Sequence, residues 1–398
     1  MINEQMYDYG AKSSEIRELF EYGKKRKAEI GQENVFDFSI GNPSVPAPKE
    51  VSDAIEQLLK SSDPTLLHGY TSAVGDDGTR AAIADSLNKA YSTAFKKENF
   101  YITCGAAASL TITFHALFEQ GDEIIAFAPF FPEYRVFAEK AGYKFNCVMC
   151  NSETLQIDLD ALENALTERT KAIIVNSPNN PSGVVLTEET VLKLCELLNK
   201  KQEQYGHPIF IISDEPYREL VYDCVKVPFL TKYYRNTIVC YSYSKSLSLP
   251  GERIGYILVP DEVQDSQRVY KAVCGAGRSL GYVCAPSLLQ HVIARCAGKI
   301  SDISVYNKNR NLLYNSLTSY GFKAAKPDGA FYLFVKSPEE DAHAFCERAK
   351  KYELLLVASD SFGFPGYVRI SYCVSTEMIQ RALPSFKKLA QEYGLKGE

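Results

Sequence analysis

The 398-residue sequence has no apolar run long enough to cross a bilayer. Its first residues, Met1-Ile-Asn-Glu-Gln-Met-Tyr-Asp-Tyr9, are polar and lack the apolar centre of a secretory signal, so the protein is expected in the cytoplasm. Neither sign of charge dominates. Against 44 lysines and arginines stand 49 aspartates and glutamates, a formal net charge of −5, which leaves no basic field for nucleic acid and no acidic tail. The five histidines lack metal-ligand spacing, and no Gly-x-Gly-x-x-Gly follows a strand, since Gly275-Ala-Gly277 is not continued in that pattern. These gaps argue against a metal centre and a dinucleotide fold. The 11 cysteines, an odd number scattered from Cys104 to Cys373, fit reduced core thiols better than a disulfide framework. Cys147-Val-Met-Cys150 lies in an expected strand, where residues three apart point to opposite faces. No repeat or low-complexity linker stands out, and a small-molecule partner is favoured.

What the chain does contain, from about residue 99, is an alternation of short apolar runs with amphipathic segments. Candidate strands span Phe100–Thr103, Glu123–Phe127, Lys144–Val148, Lys171–Val175, Ile209–Ile212, Thr237–Tyr241 and Arg253–Val259. Helical segments such as Ala106–Phe118, Tyr134–Lys140, Leu159–Leu166 and Glu188–Tyr205 lie between them, the last capped by Thr187 and closed by Gly206. This predicts an α/β fold with a mostly parallel seven-stranded sheet flanked by helices. Beyond about residue 290, helices at Ser301–Tyr320, Asp341–Lys350 and Thr376–Tyr393 flank strands at Ala330–Val335 and Gly366–Ser371, the pattern of a smaller α+β domain. The segment from Phe36 to Pro43 is expected to join it. The resulting division is 1–48 as an arm and part of the small domain, 49–290 as the large domain, and 291–398 as the rest of the small domain.

Open α/β sheets bind ligands outside the carboxyl ends of their strands. After the Thr237–Tyr241 run come Ser242, Lys245 and Arg253. A lysine amine there can form a Schiff base with an aldehyde, and hydroxyls with a guanidinium suit a phosphate dianion; pyridoxal 5′-phosphate needs both. After the other strands come Gly105-Ala106-Ala107 at a helix start, Phe131, Asn180, and Asp214 with Tyr217. Singly these are packing, core, turn and capping residues. Together they offer a phosphate cradle, a stacking ring, an amide donor, a carboxylate and a phenol. Ser242 to Lys245 also matches the Ser-x-x-Lys of serine acyl-transfer enzymes. Their second element is met only by Ser213-Asp214-Glu215, however, and no Lys-Thr-Gly occurs.

The ordered set Gly41-Asn-Pro43, Tyr70 before Gly75, Gly105-Ala-Ala107, Pro129-Phe-Phe131, Asn180-Pro-Ser-Gly183, Asp214-Glu-Pro-Tyr217, Ser242-Tyr-Ser-Lys245, Pro250-Gly-Glu-Arg253 and Arg369 resembles the fold-type I, pyridoxal-phosphate-dependent aminotransferases of class I/II. Aspartate aminotransferases are included and, near the lysine, 1-aminocyclopropane-1-carboxylate synthases. The resemblance implies Lys245 as Schiff-base lysine and proton-moving base, and Asp214 on the pyridine nitrogen. It implies Asn180 and Tyr217 on the ring oxygen, and Phe131 stacked on the ring where relatives often carry tyrosine or tryptophan. Phosphate would be held by the Gly105-Ala106-Ala107 turn, Ser242, Arg253 and Tyr70 reaching from a second subunit of a homodimer. Arg369 would grip the substrate α-carboxylate beside Gly41. Arg278 stands near the separation at which aspartate aminotransferases place the arginine for a distal carboxylate. The implied activity is amino transfer from an L-amino acid, with aspartate or glutamate preferred over aromatic amino acids, to a 2-oxo acid. Alternatives are a β-C–S lyase or a cyclopropane-forming synthase, which share the same first step, and a ligand-sensing regulator, for which no DNA-binding segment is evident.

Overall fold

All seven strands expected in the first region form one sheet in the computed structural model, which describes residues 2–11 and 15–397. From edge to edge the order is Phe100–Thr103, Gly255–Leu258, Thr237–Ser242, Phe210–Asp214, Thr170–Asn176, Glu123–Ala128 and Lys144–Met149. Helices cover both faces, which is why most of these strands read as continuous apolar runs: Ile124, Ile125, Ile173, Ile211 and Ile238 are fully buried. The helix Glu188–Tyr205 carries the predicted caps, with the Thr187 side chain accepting from Thr190 N–H and Gly206 closing the end at φ 72°.

Gly255–Leu258 runs antiparallel to both neighbours, and the other six strands share one direction. Six carboxyl ends and one amino end therefore meet at a single sheet edge. The reversed strand starts two residues after the expected Arg253, so Arg253 is delivered to that edge instead of being paired within the sheet. Gly255 has to be glycine, because a Cβ there would stand 2.2 Å from the Tyr241 carbonyl oxygen and 3.0 Å from the Gly105 Cα. The two backbones thus close on each other where the edge narrows.

In the second region, Val357–Ala358, Tyr367–Ser371, Tyr332–Lys336 and Lys323–Ala324 form an antiparallel sheet in that order. Phe36–Asp37 pairs in parallel with Leu354–Leu355, the junction expected for the Phe36 segment. Helices Ser304–Ser319, Ala342–Lys350 and Thr376–Glu392 pack on this region through a core that includes Phe38, Leu313, Phe331, Phe345 and Phe386. The expected strand from Ala330 begins only at Tyr332, because Ala330 turns the chain at φ 54° and its N–H is taken by the Leu220 carbonyl. The first of the three helices starts at Ser304, after Asp302 binds the Ser304 N–H in a local turn. Sequence patterns did not mark Glu15–Ile30 as a helix, and it buries only Leu19 and Gly23. Among the described residues no helix is long and apolar enough to cross a membrane. The 11 cysteines are free thiols.

Candidate active site

Asp214 ends the Phe210–Asp214 strand and is 4% exposed. Its Oδ2 accepts from the Tyr134 hydroxyl at 2.5 Å, while Oδ1 is buried with no partner among the described residues. Burial raises this carboxyl to about 7, against the lowering effect of the Tyr134 hydrogen bond, and the Glu215 charge adds to the rise. Asn176, at the end of the adjacent strand, donates its amide to the Asp214 carbonyl at 2.9 Å and accepts from Asn180 N–H at 2.8 Å. It couples the two strand ends.

Lys245 sits on a single helical turn, Tyr243–Ser246, whose N-cap is Ser242; the Ser242 Oγ accepts from Ser244 N–H at 3.2 Å. The Lys245 Nζ donates to the Gly41 carbonyl at 2.6 Å. Burial lowers this ammonium to about 8, with the Arg253 and Arg369 charges pushing the same way and the Cys373 thiol opposing. Across the narrow part of the edge, helix Ala106–Leu117 begins with N–H groups that precede its first internal bond, from Ser109 N–H to the Gly105 carbonyl. Arg253 takes a left-handed φ of 51° and donates to the Pro250 carbonyl at 2.9 Å and to Ser244 Oγ at 3.4 Å. A Cβ on Gly105 would lie 2.9 Å from the Arg253 Nη2, so the guanidinium rests directly against this turn. Free N–H groups, hydroxyls and a fixed guanidinium make a receptacle for a dianion.

Arg369, on the Tyr367–Ser371 strand, is 3% exposed although charged. Its Nη1 donates to Asn180 Oδ1 at 3.2 Å and its Nη2 to the Ser39 carbonyl at 2.5 Å; Nε has no partner among the described residues. Because Asn180 Oδ1 is engaged by a cation, its NH₂ is the group left to meet an acceptor in the cavity. The Tyr217 hydroxyl stands 2.9 Å from that of Tyr332.

These groups converge on a cavity of about 370 Å³. Of the residues expected from sequence, Gly41, Ala106, Ala107, Phe131, Asn180, Asp214, Tyr217, Ser242, Lys245, Arg253 and Arg369 line it. Gly105 stands directly behind Arg253. Tyr70 and Arg278 do not reach the cavity of their own chain: Tyr70 is 96% exposed and Arg278 lies exposed in the last turn of helix Ser266–Ser279. Sequence reasoning missed Tyr134, Asn176, Tyr332 and Ile16. For Tyr332 a signal existed, since strand pairing sets Phe334 opposite Arg369 and the two-residue period puts Tyr332 on the same face. Ile16 gave none, because it reads as one position of the helix stripe it shares with Leu19, Gly23 and Ile30, and such a stripe marks a packing face, not a cavity.

The family profile for aminotransferase class I and II matches residues 33–386. A probable aspartate aminotransferase from Methanocaldococcus jannaschii is 30% identical over 386 residues, 95% of this chain and 97% of the relative. An amino transferase structure from Eubacterium rectale superposes with a TM-score of 0.97 at 59% identity, covering 99% of both chains. The aspartate aminotransferase structure from Thermotoga maritima gives 0.86 at 28% identity, over 97% of this chain and 99% of that one. The lysine, carboxylate and dianion receptacle stand within the matched residues, and the sheet that gathers them is the fold of these structures. The chain belongs to the class I and II aminotransferases.

Proposed function

We propose that this aminotransferase takes aspartate or glutamate as amino donor and a 2-oxo acid as acceptor, in a site completed by a second copy of the chain. Enzymes of the aspartate aminotransferase type use pyridoxal 5′-phosphate. The residues fit that group. The buried Asp214 Oδ1, without a partner among the described residues, is an acceptor suited to a donor such as a ring N–H, and this observation carries the reading. The Gly105 turn with Ala106, Ala107, Ser242 and Arg253 suits a phosphate, and Phe131 offers a ring face on the cavity wall.

When bound, the cofactor supplies a protonated pyridine ring that accepts the electron pair left as the substrate Cα loses its proton. Asp214 would hold the ring proton, with Tyr134 fixing the carboxylate from the other side. Asn180 and Tyr217 would donate to the ring oxygen. Lys245 would act first as the amine nucleophile and then as the base that takes the proton from Cα; its lowered ammonium range makes the free amine available near neutral pH. Arg369 would bind the α-carboxylate, with the Gly41 backbone beside it.

Among the described residues, those assignments use each cation lining the cavity, Lys245, Arg253 and Arg369. For a distal carboxylate the exposed Arg278 of a second copy is the candidate, alongside Tyr70 for the phosphate. Exposed Leu66 and Val283, 77% and 57% accessible, support a contact surface of this kind. The apolar lining by Ile16, Ile40 and Leu110 favours a second reading, in which aromatic or broad amino acids are the donors. A panel of amino donors with 2-oxoglutarate separates the two. Aspartate and glutamate are expected to give the highest kcat/KM, and a protein that ignores aspartate removes the dicarboxylate reading. Pyruvate and ammonia released from cystathionine, without amino transfer, would favour a lyase.

A further inference from the structure

The geometry points to Tyr332 as a positioning residue that ties the Tyr217 phenol to the Arg369 guanidinium, so that the cofactor side and the carboxylate side of the cavity are held by one side chain. The inference rests on the pyridoxal-phosphate reading of the site and adds a residue to it. Tyr332 is 2% exposed and lines the cavity. Its ring lies under the Arg369 guanidinium with 4.8 Å from Cζ to the centroid, and Phe362 faces the same group at 5.0 Å. The guanidinium is thus flanked by two rings, while its Nη atoms are directed by Asn180 and the Ser39 carbonyl. At its other end the Tyr332 hydroxyl meets that of Tyr217 at 2.9 Å.

Burial raises Tyr217 well above the ordinary phenol range and Tyr332 to about 12, so both stay protonated and the contact is an O–H···O bond. One of the two must donate. For Tyr217 to spend its proton on the cofactor oxygen, Tyr332 has to be the donor, and this polarises the Tyr217 hydroxyl into a stronger donor. Gly41 leaves the space this needs, because a Cβ there would stand 2.0 Å from Tyr332 Oη. The same Gly41 carbonyl accepts from Lys245. Placing a glycine beside the phenol therefore serves the lysine, the tyrosine pair and the arginine together.

The two ends separate experimentally. The protein loaded with pyridoxal phosphate is titrated by its visible absorbance, and binding of an amino acid methylated at Cα, which has a carboxylate but no proton to lose, is followed by the spectral change. Tyr332→Phe keeps the ring and loses the hydroxyl. Its absorbance midpoint should move up by about 0.5–1 pH unit, the size of one hydrogen bond, with the dissociation constant of the analogue within about 2-fold of wild type. Tyr332→Leu removes the ring as well and should weaken the analogue about 5- to 30-fold. Phe362→Leu, which takes away only the second ring, should weaken the analogue with the midpoint unmoved, and keeps this arm decisive if the Tyr332→Leu protein fails to fold. A coloured Tyr332→Phe protein with an unchanged midpoint, or Leu variants that bind the analogue like wild type, would overturn the bridge. A wild type that takes up no pyridoxal phosphate overturns the cofactor reading itself, an outcome distinct from failure of the bridge alone.

Discussion

The Tyr134 hydroxyl donates to one oxygen of Asp214 at 2.5 Å while the other oxygen of the same buried carboxylate has no partner among the described residues. A carboxylate held on one side and open on the other is pre-oriented for a single donor. Tyr134→Phe should leave Asp214 without a hydrogen bond and shift it further toward its neutral form. A hydrogen bond to a charged group contributes about 1.5–3 kcal/mol, so the apoprotein should bind pyridoxal phosphate roughly 10- to 150-fold more weakly. Fluorescence titration of the apoprotein checks this, and equal affinity would remove Tyr134 from the cofactor site.

The same carboxylate should cost stability. Burial raises Asp214 from the ordinary aspartate value of 3.8 to about 7, so near neutral pH the folded apoprotein retains a proton that the unfolded chain has already lost. Below about pH 4 both states are protonated and there is no penalty; it grows as pH rises and is complete above about 7, at roughly 2–4 kcal/mol. Asp214→Asn should therefore raise the apoprotein's Tm at pH 8, with the gain shrinking toward pH 4, while amino transfer falls by orders of magnitude. Thermal melts at several pH values measure the first effect and a coupled assay the second. A gain independent of pH would contradict the linkage.

Lys245, lowered to about 8 by burial, should capture the cofactor aldehyde only as the free amine. The capture rate of the apoprotein should rise about tenfold per pH unit below that value and level off above it. Stopped-flow absorbance follows the rate, and borohydride should fix the cofactor to the peptide containing Lys245. Lys245→Ala should abolish turnover. Label on another lysine would remove the assignment.

The sheet edge was legible in the sequence because strands buried on both faces are continuous apolar runs, so the polar residue ending each run stands out. Asp214 and Lys245 were found in this way. Tyr134 was not, because a tyrosine in the first turn of the Glu133–Lys140 helix looks like any buried aromatic, and only the tertiary fold brings it to Asp214. The direction of the Gly255–Leu258 strand was equally hidden. A short apolar run carries no sign of parallel or antiparallel pairing, although that direction is what puts Arg253 at the edge. Ile16 and Arg369, distant in sequence, both line the cavity, one from the Glu15–Ile30 helix and the other from the smaller sheet, and only the tertiary fold brings these elements to it.

Arg278 and Arg369 should divide substrate recognition between them. Arg369 is buried between two rings in its own cavity, whereas Arg278 is exposed and outside it. In the proposed dimer, Arg278 meets the distal carboxylate of a substrate bound in the other copy, so its removal should matter for dicarboxylates alone. Losing one partner of a desolvated ion pair costs about 2–5 kcal/mol, or roughly 30- to 5,000-fold in kcat/KM. Arg278→Ala should lose that factor with aspartate and glutamate and little with alanine or phenylalanine, while Arg369→Ala should lose it with every amino donor. Mixing the inactive Lys245→Ala protein with Arg278→Ala tests the crossing directly. Hybrid dimers then contain one site that pairs an intact Lys245 with an intact Arg278, and aspartate activity should exceed that of either variant. Mixtures that recover nothing, although dimers exchange subunits, would put Arg278 outside the substrate site and leave the neutral-side-chain reading in its place.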